Sequence, residues 1–252
     1  MGGTLVKITS RRNPVCVHIK KLGVSSSYRQ SCGEFICDGI KLLEEAIKND
    51  AEVTSVLTAV HIPFPLPLET RVYFTDRNMI DYVSPLTSSQ GILFTCKTPT
   101  GTGKDIPDGT HVLLDGVQDP GNVGAVIRTA NAFGIGCVIL TGECADPYNP
   151  KTVRATMGAI FRQRIFCLRI SELAALKVNG MKFIGAAPGE SSKDISTVEL
   201  RGSVIAIGSE GCGLSAQVLA LCDEIVRIPI APECESLNAA VAAGIILYLA
   251  RS

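Results

Sequence analysis

Five polar residues between positions 122 and 238 stand where side chains could act together. Asn122 and Arg128 lie in "DGVQDPGNVGAVIRTANAFG" (115–134), Glu210 in "GSEGCGLS" (208–215), and Ser236 and Asn238 in "PIAPECESLN" (229–238). Arg128 follows Asn122 by six residues and sits among Val126, Ile127, Thr129 and Ala130. An arginine in so apolar a run calls for a partner or a ligand. Glu210, set among glycines, offers a carboxylate that could fix an arginine by a bidentate pair. Asn122 also suits a plain helix N-cap, and Ser236 is the natural cap of the last helix, with Asn238 two residues inside it. A helix start beside such residues can attract a phosphate through its dipole. The glycines do not fall as G-x-G-x-x-G, which argues against an ordinary nicotinamide-binding unit.

Each of the three loops follows an apolar run of strand length: "HVLLDGV", "GSVIAIGS" and "EIVRIPI". Further strands are expected at "GCVILTG" and "MKFIGAAP". Helices are expected at "NVGAVIRTANAFG", "NPKTVRATMGAIF" (with Pro150 in its first turn), "LSAQVLALC" and "SLNAAVAAGIILYLARS". Nearly continuous apolar strands fit a parallel sheet covered on both faces. In such sheets ligands sit beyond the carboxyl ends of the strands, so three loops there would build one site.

The clearest break is "KTPTGTGKDIPDG" (97–109), which holds three Gly, two Pro and three Thr and no apolar periodicity. The expected division is a first domain at 1–96, a linker at 97–106 and a second domain at 107–252. The first domain reads as small and α/β. "GEFICDGIKLLEEAIKN" gives a strand into a helix, and "EVTSVLTAV", "TRVYFT" and "GILFTC" give strands.

The formal net charge of the 252 residues is zero, yet Met1–Cys32 carries six Lys/Arg (Lys7, Arg11, Arg12, Lys20, Lys21, Arg29) and no acid. That is a local basic surface suited to phosphates. The ten cysteines include no C-x-x-C pair, and there are three histidines. This argues against a metal site and a disulfide framework and for thiols in a reducing cytoplasm. The opening residues are too polar for a signal peptide, and the last apolar run is too short to span a bilayer.

Taken together, "NVGAVIRTANAFG", "VIAIGSEGCGLS" and "VRIPIAPECESLNAAVAAG" resemble the three ordered motifs of the SpoU (TrmH-like) branch of the SPOUT RNA methyltransferases. "NPKTVRATMGAIF" resembles the segment between the first two. The N-terminal "ITSRRNPVCVHIKKL", "YRQSCGEFICDGIKLLEEAI" and "SSQGILFTC" are more loosely similar to the RNA substrate-binding domain that precedes the SpoU domain in ribosomal RNA members. Two departures stand out: Pro232 where glycine is common, and "CDG" where an acidic "EG" pair is common.

The resemblance implies an α/β fold: a C-terminal SPOUT domain with a parallel sheet and a trefoil knot, preceded by a small ribosomal-protein-like α/β domain. It implies S-adenosylmethionine as cofactor, held at Ala186, Ala187, Gly208, Ile228 and Leu237. It also implies a homodimer through the C-terminal domain and methyl transfer to a ribose 2′-hydroxyl of RNA. Arg128 would hold the ribose and stabilise the developing alkoxide, since a guanidinium stays protonated. Asn122 and Asn238 would orient it, Ser236 would bond within its loop, and Glu210 would pair with Arg128. Arg11, Arg12, Lys20, Lys21 and Arg29 would bind RNA. Ribosomal RNA is the expected substrate, with transfer RNA as the near alternative and a non-catalytic RNA-binding or ribosome-assembly factor as the contrasting class.

Overall fold

The computed structural model describes residues 6–102, 105–189 and 191–251. Residues 103 and 104 of the expected linker lie outside the described residues, as do residues 1–5 of the N-terminal stretch. Contacts divide the chain into two units. One comprises Met1–Pro99 and Tyr148–Phe161, the other Thr100–Pro147 and Arg162–Ser252.

In chain order the elements are β1 (Val6–Lys7), α1 (Pro14–Val24), α2 (Ser26–Cys32), β2 (Glu34–Asp38), α3 (Ile40–Lys48), β3 (Val53–Thr58), β4 (Arg71–Phe74), α4 (Arg77–Val83) and β5 (Ile92–Lys97). There follow β6 (His111–Asp115), α5 (Pro120–Ala132), β7 (Cys137–Thr141), α6 (Pro150–Ala155), β8 (Arg164–Cys167), α7 (Ile170–Val178), β9 (Lys182–Ala186), β10 (Lys193–Asp194), β11 (Ser203–Gly208), α8 (Ala216–Leu219), β12 (Glu224–Arg227) and α9 (Ala239–Ala250).

The first unit holds a mixed sheet in the order β1-β4-β3-β5-β2. Ile36, Leu57 and Leu93 of its strands pack with Cys16, Ile19 and Leu22 of α1 and with Met79, Ile80 and Val83 of α4 in one buried cluster. α1 begins where Asn13 accepts from the Val15 amide and Pro14 supplies a first-turn proline, both start signals for a helix. The segment 148–161, expected with the second domain, packs here instead. α6 lies on β2, and the rings of Tyr148 and Phe161 lie 4.9 and 6.3 Å from that of Phe35. Chain adjacency placed the segment in the second domain, whereas aromatic burial decides where it docks.

The second unit is a seven-stranded sheet in the order β10-β12-β9-β11-β6-β7-β8. Every pairing is parallel. Leu113, Ile139, Phe183, Val204 and Ala206 face one buried cluster with Leu173 and Leu176 of α7 and Val218 of α8. The alternate residues Val112, Leu114, Val138, Leu140, Ile205 and Ile207 are equally buried, as the period-two geometry of a sheet covered on both faces requires. α5 and α9 pack on each other, α5 on β7 and α9 on β11. Among the described residues no helix is long and apolar enough to cross a membrane.

Candidate functional site

Because all strands of the second sheet run in parallel, their carboxyl ends share one edge. Gly208 is level with Asp115, and Ala186 with Ile207 and Val226. The loops after β6, β11 and β12 leave from that edge and converge on one polar cluster.

α5 starts with Asp119 as its N-cap. The Asp119 carboxylate accepts the Asn122 amide at 2.8 Å, and Pro120 opens the first turn. Asn122 is therefore not the cap, and its side chain is free to reach across. Its Nδ2 donates to Glu210 Oε1 at 2.9 Å, while its Oδ1 accepts from Asn238 Nδ2 at 3.1 Å. Glu210 Oε1 also accepts from Asn238 Nδ2 at 2.5 Å and from the Ala239 amide at 3.2 Å. One carboxylate thus gathers two asparagines and the first backbone N–H of α9, where a negative charge also complements the helix dipole.

Asn238 is the N-cap of α9. Its Oδ1 accepts the amides of Ala240 and Val241 at 3.0 and 3.2 Å. The cap expected at Ser236 is thereby corrected. Ser236 is exposed and forms no side-chain hydrogen bond among the described residues, because the chain turns helical only after Asn238.

The loop that carries Glu210 is held by backbone. The Ser209 amide donates to Gly213 O at 3.2 Å and the Gly213 amide to Ser209 O at 2.9 Å. A Cβ on Gly208 would fall 2.0 Å from the Gly213 carbonyl carbon, and Gly213 has φ +66°. Glycine is required at 208 by close backbone approach and at 213 by a left-handed turn. Asp115, buried at the end of β6, accepts the Ser215 amide at 2.6 Å and ties the far side of the loop to the sheet. Asp115 and Asp119 escaped the sequence reading, although Asp-Pro before an apolar helix is a recognisable start signal.

Arg128 departs from expectation. It is exposed on α5 and makes no ion pair or side-chain hydrogen bond among the described residues. Six residues turn a helix through about 600°, so Arg128 and Asn122 face different sides. Glu210 therefore does not pair with Arg128; the asparagines hold it instead.

Ala186, Ala187, Gly208, Ile228 and Leu237 are each half-buried and uncharged. The first four lie at the ends of β9, β11 and β12, and the Ala187 amide donates to Val226 O at 3.0 Å. They make a small, apolar rim with backbone polar groups between the strand ends.

In the first unit Arg11, Arg12, Lys20 and Lys21 are exposed, but Arg29 is 5 % exposed and donates to Leu22 O at 2.6 Å. Arg29 satisfies a carbonyl in the last turn of α1, where helices leave acceptors unpaired. Its placement on the RNA-binding surface is corrected. The cysteines are all free thiols; Cys16, Cys37, Cys96 and Cys137 are buried, whereas Cys167, Cys212 and Cys234 are exposed.

The family model of the SpoU rRNA Methylase family matches residues 109–248. The chain is 31 % identical over 248 residues to the 23S rRNA (guanosine(2553)-2′-O)-methyltransferase RlmP of Bacillus subtilis, covering 96 % of this chain and 98 % of that one. It is 36 % identical over 142 residues to the 23S rRNA (guanosine-2′-O-)-methyltransferase RlmB of Vibrio cholerae, covering 54 % of this chain and 56 % of that one. Among solved structures, the AdoMet-bound rRNA methyltransferase of Sinorhizobium meliloti superposes with a TM-score of 0.86 at 27 % identity, over 98 % of this chain and 97 % of that one. The SpoU methyltransferase AviRb of Streptomyces viridochromogenes in complex with AdoMet gives 0.83 at 26 % identity, over 94 % and 96 %. With the motifs, the parallel sheet and the polar cluster at its carboxyl edge all falling inside the matched span, this chain belongs to the SpoU rRNA methylase family.

Proposed function

We propose that the protein is an S-adenosylmethionine-dependent methyltransferase acting on a ribose 2′-hydroxyl of ribosomal RNA. The observation that carries the reading is the Asn122–Glu210–Asn238 cluster, built at the carboxyl edge of the parallel sheet from all three family motifs. The Bacillus subtilis relative, matched over nearly its whole length, is by name a 23S rRNA guanosine 2′-O-methyltransferase, and neighbours of the same fold bind the cofactor.

The rim at Ala186, Ala187, Gly208, Ile228 and Leu237 fits the cofactor, because small uncharged residues let backbone groups approach a largely apolar adenosyl moiety. The bound cofactor supplies a methyl on a sulfonium, which is electrophilic without further activation. The chain's own residues deal with the hydroxyl, a weak nucleophile until its proton is polarised or removed. Each asparagine in the cluster is fixed by two or more hydrogen bonds, so it presents its remaining donor or acceptor without reorganisation. Arg128 holds the ribose and its neighbouring phosphate and steadies the alkoxide, remaining protonated throughout.

Arg128 does this in a homodimer. Val241, Ile245, Tyr248 and Leu249 recur at helical spacing on α9, are 38–52 % exposed, and form an apolar stripe on the helix that packs against α5. A second copy covers that stripe and sets Arg128 beside a site. The order of the second sheet supports a trefoil knot: β11 is inserted between β9 and β6 after β9 is already placed, and α9 returns to α5. The free thiols suit the cytoplasm.

The test is methyl transfer from tritiated S-adenosylmethionine to bulk ribosomal RNA and, separately, to transfer RNA, each from a strain lacking the gene. Label in ribosomal RNA at one nucleotide resistant to alkaline cleavage is expected. Label in transfer RNA alone moves the substrate class. Cofactor binding without label in either pool, or in ribosomal particles, overturns the enzyme reading in favour of a non-catalytic RNA-binding factor.

A further inference from the structure

The basic face of the first unit contains an arrangement that charge counting does not reveal. The Arg11 guanidinium lies 4.3 Å from the centroid of the Tyr82 ring, and the Lys20 ammonium lies 3.8 Å from the same centroid. Tyr82 sits in α4 and is 37 % exposed, while Arg11 precedes α1 and Lys20 is in its second half. Two cations from around α1 therefore meet on one ring of α4. Neither Arg11 nor Lys20 makes an ion pair among the described residues. The acids of the surrounding elements are engaged elsewhere: Asp81 with Arg77 at 3.1 Å, Glu34 with Lys97 and His18 at 2.8 Å each, and Asp76 as the N-cap of α4.

From this geometry we infer that Tyr82 is a positioning residue for RNA binding, whose ring holds Arg11 and Lys20 as a preset pair of cations that clamps phosphates of one RNA strand. The inference rests on the RNA-methyltransferase reading and names the contact that seats its substrate. A long cationic side chain free in solvent loses rotamer freedom when it meets a phosphate. Attraction to the ring face restrains it beforehand while leaving its charge unneutralised, which a carboxylate partner would not do. With both cations already against the ring, its role is to place charge rather than to stack a base. Lys21, 5.4 Å from the centroid of Tyr28, extends the same device along α1.

The experiment uses the full chain and unmodified large-subunit ribosomal RNA transcribed in vitro, with retention on filters at several salt concentrations and steady-state methyl transfer. Tyr82→Leu is expected to weaken binding about fivefold, as the loss of two exposed cation–π contacts implies, with the loss in KM rather than kcat. Tyr82→Phe keeps the ring face and is expected to bind as the wild type does. In an Arg11→Ala/Lys20→Ala background, Tyr82→Leu adds nothing further, while that background itself lowers the salt slope by about two contacts. Wild-type affinity in Tyr82→Leu, failure of phenylalanine to rescue, or a full tyrosine effect in the cation-free background each overturns the inference. Thermal melting checks that the leucine variant is folded. If the wild type methylates RNA and Tyr82→Leu is unaffected, the clamp fails and the enzyme reading stands. If binding depends on Tyr82 but no methyl is transferred to this RNA, to transfer RNA or to ribosomal particles, the clamp stands and the enzyme reading fails.

Discussion

The polar cluster of the second unit and the basic face of the first treat their functional groups in opposite ways. Around Glu210 the named side chains are tied by hydrogen bonds to one another and to helix ends: two asparagines, a carboxylate and two caps interlock at the sheet edge. On the basic face Arg11, Arg12, Lys20 and Lys21 make no ion pair among the described residues, and at most an aromatic ring restrains them. The difference fits the roles proposed for the two surfaces. Chemistry at one hydroxyl demands atoms fixed to a fraction of an ångström. Docking on a phosphate chain demands unneutralised charge and tolerates loose geometry. Arg128, proposed to act with the first group, resembles the second by environment, an exposed side chain with no ion pair or side-chain hydrogen bond among the described residues.

The sharpest way to break this contrast is Arg128→Ala. Loss of the group proposed to stabilise the alkoxide is expected to lower kcat about a hundredfold or more, with thermal stability unchanged because the side chain is exposed and makes no hydrogen bond or ion pair among the described residues. A variant that keeps its rate would return Arg128 to the solvated surface.

Glu210→Ala should come next. It removes the acceptor of Asn122, Asn238 and the Ala239 amide. Each hydrogen bond contributes about 1 kcal/mol, and each asparagine would lose one of the bonds that fix it while keeping the Asn122–Asn238 contact and the Asn238 cap. A fall of about tenfold in kcat is expected, read together with the melting temperature. Glu210→Gln, which retains an acceptor oxygen, should recover part of it. A rate loss in Arg128→Ala that vanished in the Glu210→Ala background would instead show the two acting as one unit.

A third variant separates the basic residues from one another. Arg29→Ala should lower stability by about 2 kcal/mol, since a buried carbonyl loses a charged donor, and leave the salt dependence of RNA binding unmoved. Arg12→Ala should leave stability alone and reduce the salt slope by about one. An Arg29 effect on the salt slope would overturn its assignment as a structural cap.

The smallest effect concerns His111, fully buried at the start of β6. Its Nε2–H donates to Pro107 O at 2.8 Å, and Nδ1 lies 3.2 Å from the Cys137 thiol, which serves as donor in the neutral form. Burial lowers its pKa below the ordinary histidine value. The unfolded chain then binds the proton more readily than the folded one, so stability rises with pH across that window. The contribution is complete above about pH 6.5 and is lost as the pH falls from there toward the folded value. Melting curves from pH 7.5 to 5.5 should show a shallow decline that His111→Gln flattens. An unchanged slope in that variant would assign the decline to other groups.

Much of the second unit was legible from the chain. The apolar runs at 111–115, 137–141, 182–186, 203–208 and 224–227 became parallel strands, because a strand buried on both faces must be apolar at every position. The convergence of the Asn122, Glu210 and Asn238 loops followed from that parallel direction. β8 and α7 went unrecognised, as "RIFC" is short and "ISELAALKV" lacks a strong polar face. Asn13-Pro14 is the start signal of α1, and contacts group α6 with the first unit rather than with its chain neighbours.

The sequence by itself determined most of the strands and helices of the second unit, the family motifs and the one-sided charge of the first thirty-odd residues, because these depend on residue identity and local spacing. Tertiary structure decided the partners. It gave Glu210 to two asparagines rather than to Arg128, gave the cap of α9 to Asn238 rather than Ser236, buried Arg29, and brought Arg11 and Lys20 onto Tyr82. The Glu210 and Tyr82 contacts join residues tens of positions apart, which packing alone sets; the Arg29 bond and the α9 cap are local but were chosen by where the chain turns and packs.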